Sequence, residues 1–276
     1  MKKIALTLAL LLPLAAAAQS TTEGGVRASA GVDVKLRKGL HLNVEEEVRI
    51  EGAFKSLGRL QTNVELEYKP VKWMKLGLGY SLINPYSYNN LQFKNPRHRV
   101  FLDAGAHLNI NGFSLSIKER FQMTHRTGTF NEFQTTRNKM ELKSRIGVEY
   151  KGWTYFEPGV FLEMRTVFND PWGEILDDNG QPVTENFERY IKYKSDGTTY
   201  YNYRLTGYNH IYNNRYRAIF RTDINLSNRH VLQPYAYVDY LTDYMIDTNS
   251  EGTRLFSAEN DGHFRISVGL SYTFKF

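Results

Sequence analysis

The chain has 276 residues with 21 Gly, 8 Pro and no Cys, aromatic residues at 14% and a formal net charge of +6. A mean hydropathy of −0.49 excludes a bundle of membrane-spanning helices, each of which needs roughly 20 consecutive apolar residues. The lack of cysteine excludes disulfides, thiolate zinc sites, iron–sulfur clusters and a cysteine nucleophile. The 19 Tyr and 16 Phe therefore need an apolar setting in a chain that is polar on average.

From the start of the chain, Met1-Lys2-Lys3 is basic, residues 4–14 are apolar and residues 15–18 are alanines. This is the three-part pattern of a secretory signal peptide with a cut after Ala18, which leaves residues 19–276 as the expected single domain. No Cys follows the cut, so no lipid anchor is expected there. Loss of Lys2 and Lys3 takes the charge from +6 to +4. The remaining positive charge is spread without a Lys/Arg-dense block, and no nucleic-acid partner is expected.

Past the signal, the chain alternates. Val26, Ala28, Ala30, Val32, Val34 and Leu36 are interleaved with Arg27, Ser29, Gly31, Asp33 and Lys35, the period of a strand with two unlike faces. The same pattern recurs at residues 40–51, 60–69, 74–82, 99–109, 113–123, 140–150, 156–164, 216–226, 232–240 and 264–276, with a weaker candidate at 200–212. Asn111-Gly112 predicts a tight hairpin. Short turns near residues 37–39, 70–72, 111–112, 151–152 and 227–229 alternate with long connections near 52–59, 84–98, 125–137, 167–199 and 243–260.

One face carries Val, Leu, Ile and aromatic residues, and the other is densely charged. That sidedness argues against a soluble sandwich and predicts an antiparallel transmembrane β-barrel of about 10–12 strands in the bacterial outer membrane, with lipid outside and charge within. Tyr68 and Trp73, and Tyr150 and Trp153, flank short turns where an interfacial aromatic girdle belongs. The expected lumenal network comprises Arg99, Asp103, Arg120, Arg145, Glu163, Arg217, Arg221, Asp239 and Arg265. Over the whole charged face about eleven acidic side chains are matched by about as many basic ones, a balance that favours a side-chain plug over a strongly ion-selective pore.

In the last strand Phe264, Ile266, Val268, Leu270, Tyr272, Phe274 and Phe276 share one face, ending on an aromatic residue. The Leu270, Tyr272, Phe274, Phe276 pattern resembles the C-terminal signal that the barrel assembly machinery reads, so that machinery, periplasmic chaperones and outer-membrane lipid are the expected partners. The order Val48-Arg49-Ile50-Glu51, Leu78-Gly79-Tyr80-Ser81, Arg97-His98-Arg99, Arg145, residues 157–163 and Arg215-Tyr216-Arg217 resembles the DUF2490 family of outer-membrane barrel proteins. The resemblance implies fold and location and brings no activity with it. The segment from Val167 to about Tyr200 is longer than the family pattern.

Enzymatic motifs are sparse. None of the seven histidines sits in a local nucleophile or metal motif, and neither G-x-S-x-G nor H-E-x-x-H occurs. Gly77-Leu78-Gly79 lies within a strand and reads as relief of lumenal crowding rather than a dinucleotide fingerprint. Asp177-Asp178-Asn179-Gly180 reads as a tight turn rather than a calcium loop. The expectation is a non-enzymatic structural or surface barrel, or a narrow small-solute channel, without cofactor or metal. The alternatives are a barrel hydrolase, for which His107 and Asp103 share one face four residues apart, and a glycan-binding surface protein built on the tyrosines of residues 190–212.

Overall fold

In a computed structural model the described residues are 23–51 and 56–276, and the expected signal peptide lies outside them. The strands in chain order are β1 (Glu23–Arg37), β2 (Leu40–Glu51), β3 (Ser56–Tyr68), β4 (Met74–Ser87), β5 (Gln92–Phe93), β6 (Arg97–Ile110), β7 (Phe113–Arg126), β8 (Asn138–Tyr150), β9 (Phe156–Leu176), β10 (Lys192–Tyr193), β11 (Thr199–Asn225), β12 (His230–Thr248) and β13 (Arg254–Lys275). β5 and β10 are two-residue pairings within long connections. The other eleven strands close into a barrel.

Ten of the eleven wall ladders are antiparallel, as expected. The eleventh is a correction: β1 pairs with β13 in parallel, from Glu23↔Arg265 to Asp33↔Lys275. Each hairpin reverses the chain, so an odd number of strands brings the first and last side by side in the same direction. Only a parallel ladder can then satisfy both edges. Residues 26–36 lie in β1, and residues 200–212 are the upper half of β11 rather than a strand of their own.

Turn chemistry sets one end of the wall. Asn111 and Gly112 take φ of 48° and 83°, the left-handed pair that a two-residue hairpin needs. The opposite, long-loop end is uneven, because β9 has 21 residues and β11 has 27 against 12 in β2. Four register shifts between Leu205 and Arg215 erase the period-two signal there, which is why the sequence reads much of 167–199 as loop although β9 runs to Leu176.

The upper β12–β13 hairpin leans across this end. Tyr244, Ile246 and Thr248 continue the outer face of the wall below, yet Ile246 packs with Tyr203 and Leu255 in a small apolar core on the β9–β11 hairpin. At its tip, Asn131 in the β7–β8 connection donates to the backbone oxygens of Thr248 and Asn249 at 3.3 and 3.2 Å.

Below that cap, the two faces of the wall differ in chemistry. Leu102 and Leu162 point outward and are each 57% exposed, whereas Asp239 and Glu163 point inward and are 0% and 4% exposed. Glycines on the inner face make room for rings: a Cβ on Gly79 would overlap the Phe101 ring, and one on Gly147 the Phe161 ring.

The parallel closure can be tested in a chain that has no native cysteine. Ala28→Cys with Leu270→Cys, which are register partners on the outer face, is expected to form an intramolecular disulfide under mild oxidation. Ala28→Cys with Phe264→Cys is not, and the two are separated by gel mobility of the unfolded protein.

Candidate functional site: a charged lumen

The lumenal network is built from partners that face each other directly across the ladders. Asp103 opposes Arg120 on β6 and β7, and Arg120 donates to both its carboxylate oxygens, Nε at 2.6 Å and Nη2 at 2.5 Å. Lys118 adds a contact to the same carboxylate at 2.6 Å. Arg145 opposes Glu163 on β8 and β9 and donates to it through Nε at 2.9 Å, while Arg215 reaches the other oxygen at 2.5 Å. Asp239 lies between Arg217 on β11 and Arg265 on β13, accepting from Arg217 Nη2 at 2.8 Å and Arg265 Nη2 at 3.3 Å. Arg221 donates to Glu149 at 2.5 Å, nearer the short-turn end.

Rings hold several of these guanidinium groups in place. Arg120 lies 3.8 Å from the centroid of Phe101, Arg217 4.3 Å from Tyr237 and Arg221 4.3 Å from Phe161. The glycines beneath Phe101 and Phe161 are thus part of the same arrangement, as Gly77 and Gly79 suggest from sequence. Eight of the nine expected network residues are therefore in ion pairs. Arg99 is the exception; it donates to Thr124 Oγ1 at 2.9 Å and has no carboxylate in ion-pair contact among the described residues.

His107 and Asp103 do not meet. Four residues along an extended strand separate them by about 13 Å, and both oxygens of Asp103 are held by Arg120. The tyrosines of residues 200–212 lie along β11, and Tyr203 and Tyr212 are packed into the cap. Asp177 forms the tight turn expected of it, accepting from the backbone N–H groups of Asn179 and Gln181 at 2.8 Å each.

Two cavities lie along the barrel axis. The one nearer the short turns has a volume of about 350 Å³ and mixed lining, with Glu45, Glu47 and Glu65 among its groups. The one nearer the long loops has a volume of about 500 Å³ and is lined by ten Lys or Arg side chains against three carboxylates, Glu51, Glu163 and Asp243. Arg49, Arg99, Lys143, Arg145 and Glu163 line both, and mark where the two meet. The charges nearly balance in a list but are unevenly distributed along the axis, which sequence alone does not reveal. Arg27, Arg49, Arg59, Lys143, Arg165 and Arg215 were missing from the expected network, Arg59 because residues 52–59 read as loop although β3 begins at Ser56.

The family model described as a protein of unknown function (DUF2490) matches residues 28–275. The chain belongs to the DUF2490 family. No curated protein matches it.

Two measurements probe the network and cap of this DUF2490 protein. Asp239→Asn leaves Arg217 and Arg265 without their shared counter-charge in a buried setting and is expected to cost about 3–5 kcal/mol. The combined Asp239→Leu, Arg217→Met, Arg265→Met variant should recover most of that loss in urea unfolding.

In the cap, above the Tyr216–Tyr240 register pair, His210 lies against Trp172, Tyr212 and Tyr244, with ring centroids at 4.8, 4.9 and 4.3 Å. Burial among these rings lowers its pKa below the ordinary value, against the pull of Asp170. The unfolded segment thus takes up a proton that the folded cap resists. The stabilisation is complete above about pH 6.5 and is lost as pH falls from there through the lower folded value. Protection of the backbone amides of residues 203–212, taken relative to the intrinsic exchange rate at each pH, should fall over that window in the native protein and stay flat in His210→Gln.

Proposed function

We propose that the protein is an outer-membrane β-barrel that spans the bilayer and provides a narrow, side-chain-constricted path for small solutes. The observation that carries this reading is the outward apolar band with its aromatic borders. Tyr216, Tyr240 and Phe264 are register neighbours on β11, β12 and β13 and point outward at one level. At the other end Phe113 opposes Tyr150, with Trp153 edge-on to it and Trp73 exposed beside the neighbouring turn. Phe264 and Phe274 on β13 are ten residues apart. That is about 33 Å along the strand, or about 25 Å across a bilayer at a tilt of about 40°, the height of the apolar band in such barrels.

No helix among the described residues is long and apolar enough to cross a membrane, which bears only on helices. A closed sheet is the alternative that leaves no unpaired backbone in lipid. The outward row Leu270, Tyr272, Phe274 and Phe276 suits recognition by the barrel assembly machinery with delivery by periplasmic chaperones. The reading is non-catalytic, since Asp103 is committed to Arg120 and Lys118.

The full chain is expected to fractionate with outer membranes and to migrate faster unboiled than boiled on a gel. In planar bilayers it should give small discrete conductances that favour anions. Arg99→Ala removes a side chain at the junction of the two cavities without breaking an ion pair and should raise single-channel conductance roughly twofold while weakening anion preference. Inner-membrane or soluble fractionation would overturn the location; silence in repeated reconstitutions would overturn the channel.

A further inference from the structure

The larger cavity is bounded by two rows of like charge. Across β1, β2 and β3, Arg27 opposes Arg49 and Arg49 opposes Arg59. Across β8, β9 and β11, Lys143 opposes Arg165 and Arg165 opposes Arg215. All six side chains line the same cavity. In the order of strands round the barrel, β2 and β9 are six steps apart one way and five the other, so the two cationic triplets stand on opposite walls. Like charges directly opposite on a ladder destabilise a sheet. Where cations face each other elsewhere in the lumen, at Lys118↔Arg145 and Arg120↔Lys143, Lys118 and Arg120 are in ion pairs with Asp103 and Arg145 with Glu163.

Neighbouring carboxylates do not neutralise the cluster. Arg49 pairs with Glu47, Arg165 with Glu141 at 3.5 Å and Arg215 with Glu163 at 2.5 Å. Arg27, Arg59 and Lys143 have no carboxylate in ion-pair contact among the described residues, although Arg27 is 5% exposed. The Nε atoms of Arg59, Arg215 and Arg265 are buried without a hydrogen-bond acceptor. Adding Glu47, Glu141 and Asp239, which engage lining arginines from behind, to the three lining carboxylates sets ten cations against six anions, an excess of four. Buried unpaired cations and vacant guanidinium donors are costly unless an anion meets them.

We propose that this cavity is a binding site for a small multivalent oxyanion, held between the Arg27–Arg49–Arg59 and Lys143–Arg165–Arg215 triplets. Guanidinium forks suit phosphate and carboxylate oxygens in a bidentate manner, and the lysine adds a point charge. A volume of about 500 Å³ lies within the usual range for ligand pockets and leaves room for an anion with some of its water. The proposal deepens the channel reading by naming the solute class, but it rests only on the lumen being accessible to water.

The test is calorimetric titration of the full chain in detergent with pyrophosphate and, separately, citrate, at fixed ionic strength in chloride. The expected result is one site per chain, with affinity roughly tenfold or more weaker in Arg59→Gln and in Lys143→Met. It should be unchanged in Arg229→Gln, which removes the same charge from an exposed turn at the far end. Lys143→Met should also raise the thermal midpoint of the ligand-free protein, because it relieves repulsion, so a weakened titration cannot be ascribed to misfolding. Tight pyrophosphate binding with weak citrate binding assigns a phosphate-type ligand, and the reverse a polycarboxylate. Heats absent for both probes, or reduced equally by Arg229→Gln, would overturn the site. A barrel that binds in detergent but is silent in bilayers would overturn the channel and leave the site standing.

Discussion

Charge enclosed by a closed wall must be paired, and most of this structure is arranged around that requirement. Removing a carboxylate or guanidinium from water costs several kcal/mol, which is recovered only when geometry and hydrogen bonds are good. Here the pairs are ladder neighbours: Asp103 with Arg120, Arg145 with Glu163, Arg217 with Asp239 and Asp239 with Arg265. Pairing therefore specifies register. A slip of one residue would turn these groups to the apolar outside and bring the Leu and Val face inward, so one interaction fixes both the filling of the lumen and the sidedness of the wall.

The same requirement makes the exceptions informative. Rings stacked on Arg120 and Arg221 occupy space that glycines on adjacent strands leave free, so arginine, ring and glycine act as one packing unit. The larger cavity departs from the rule by setting cations side by side. The difference between the two cavities is electrostatic rather than architectural, with a mixed lining at one end and a positive one at the other.

Much of the wall was legible in the sequence because period-two alternation reports sidedness directly. The turns at Arg37–Gly39 and Asn111-Gly112 fell where expected, as did the glycine relief at Gly77 and Gly79. Three things were not legible. The parallel ladder depends on strand parity: the eleven clear segments are the eleven wall strands, but the weaker candidate at 200–212, which continues into 216–225, left odd and even both open. The extensions of β9 and β11 carry register shifts, and these break the periodicity by which strands are recognised. The cationic cluster arises from neighbours distant in sequence. Arg27 and Arg59 become a triplet with Arg49 only after β1, β2 and β3 are aligned, so a list of charges could be balanced while the cavity was not.

The β1–β13 ladder also bears on how the barrel forms in time. It joins residues at opposite ends of the chain, including Ser29 and Ser271, whose hydroxyls meet at 2.9 Å across 242 positions. The other ladders can grow from hairpins and adjacent strands, whereas this one must await a nearly complete sheet. Until it forms, β1 and β13 each present an unpaired edge, so the assembling sheet is most open to wrong partners just before closure. Of all the ladders, the joint that completes the wall spans the greatest separation along the chain.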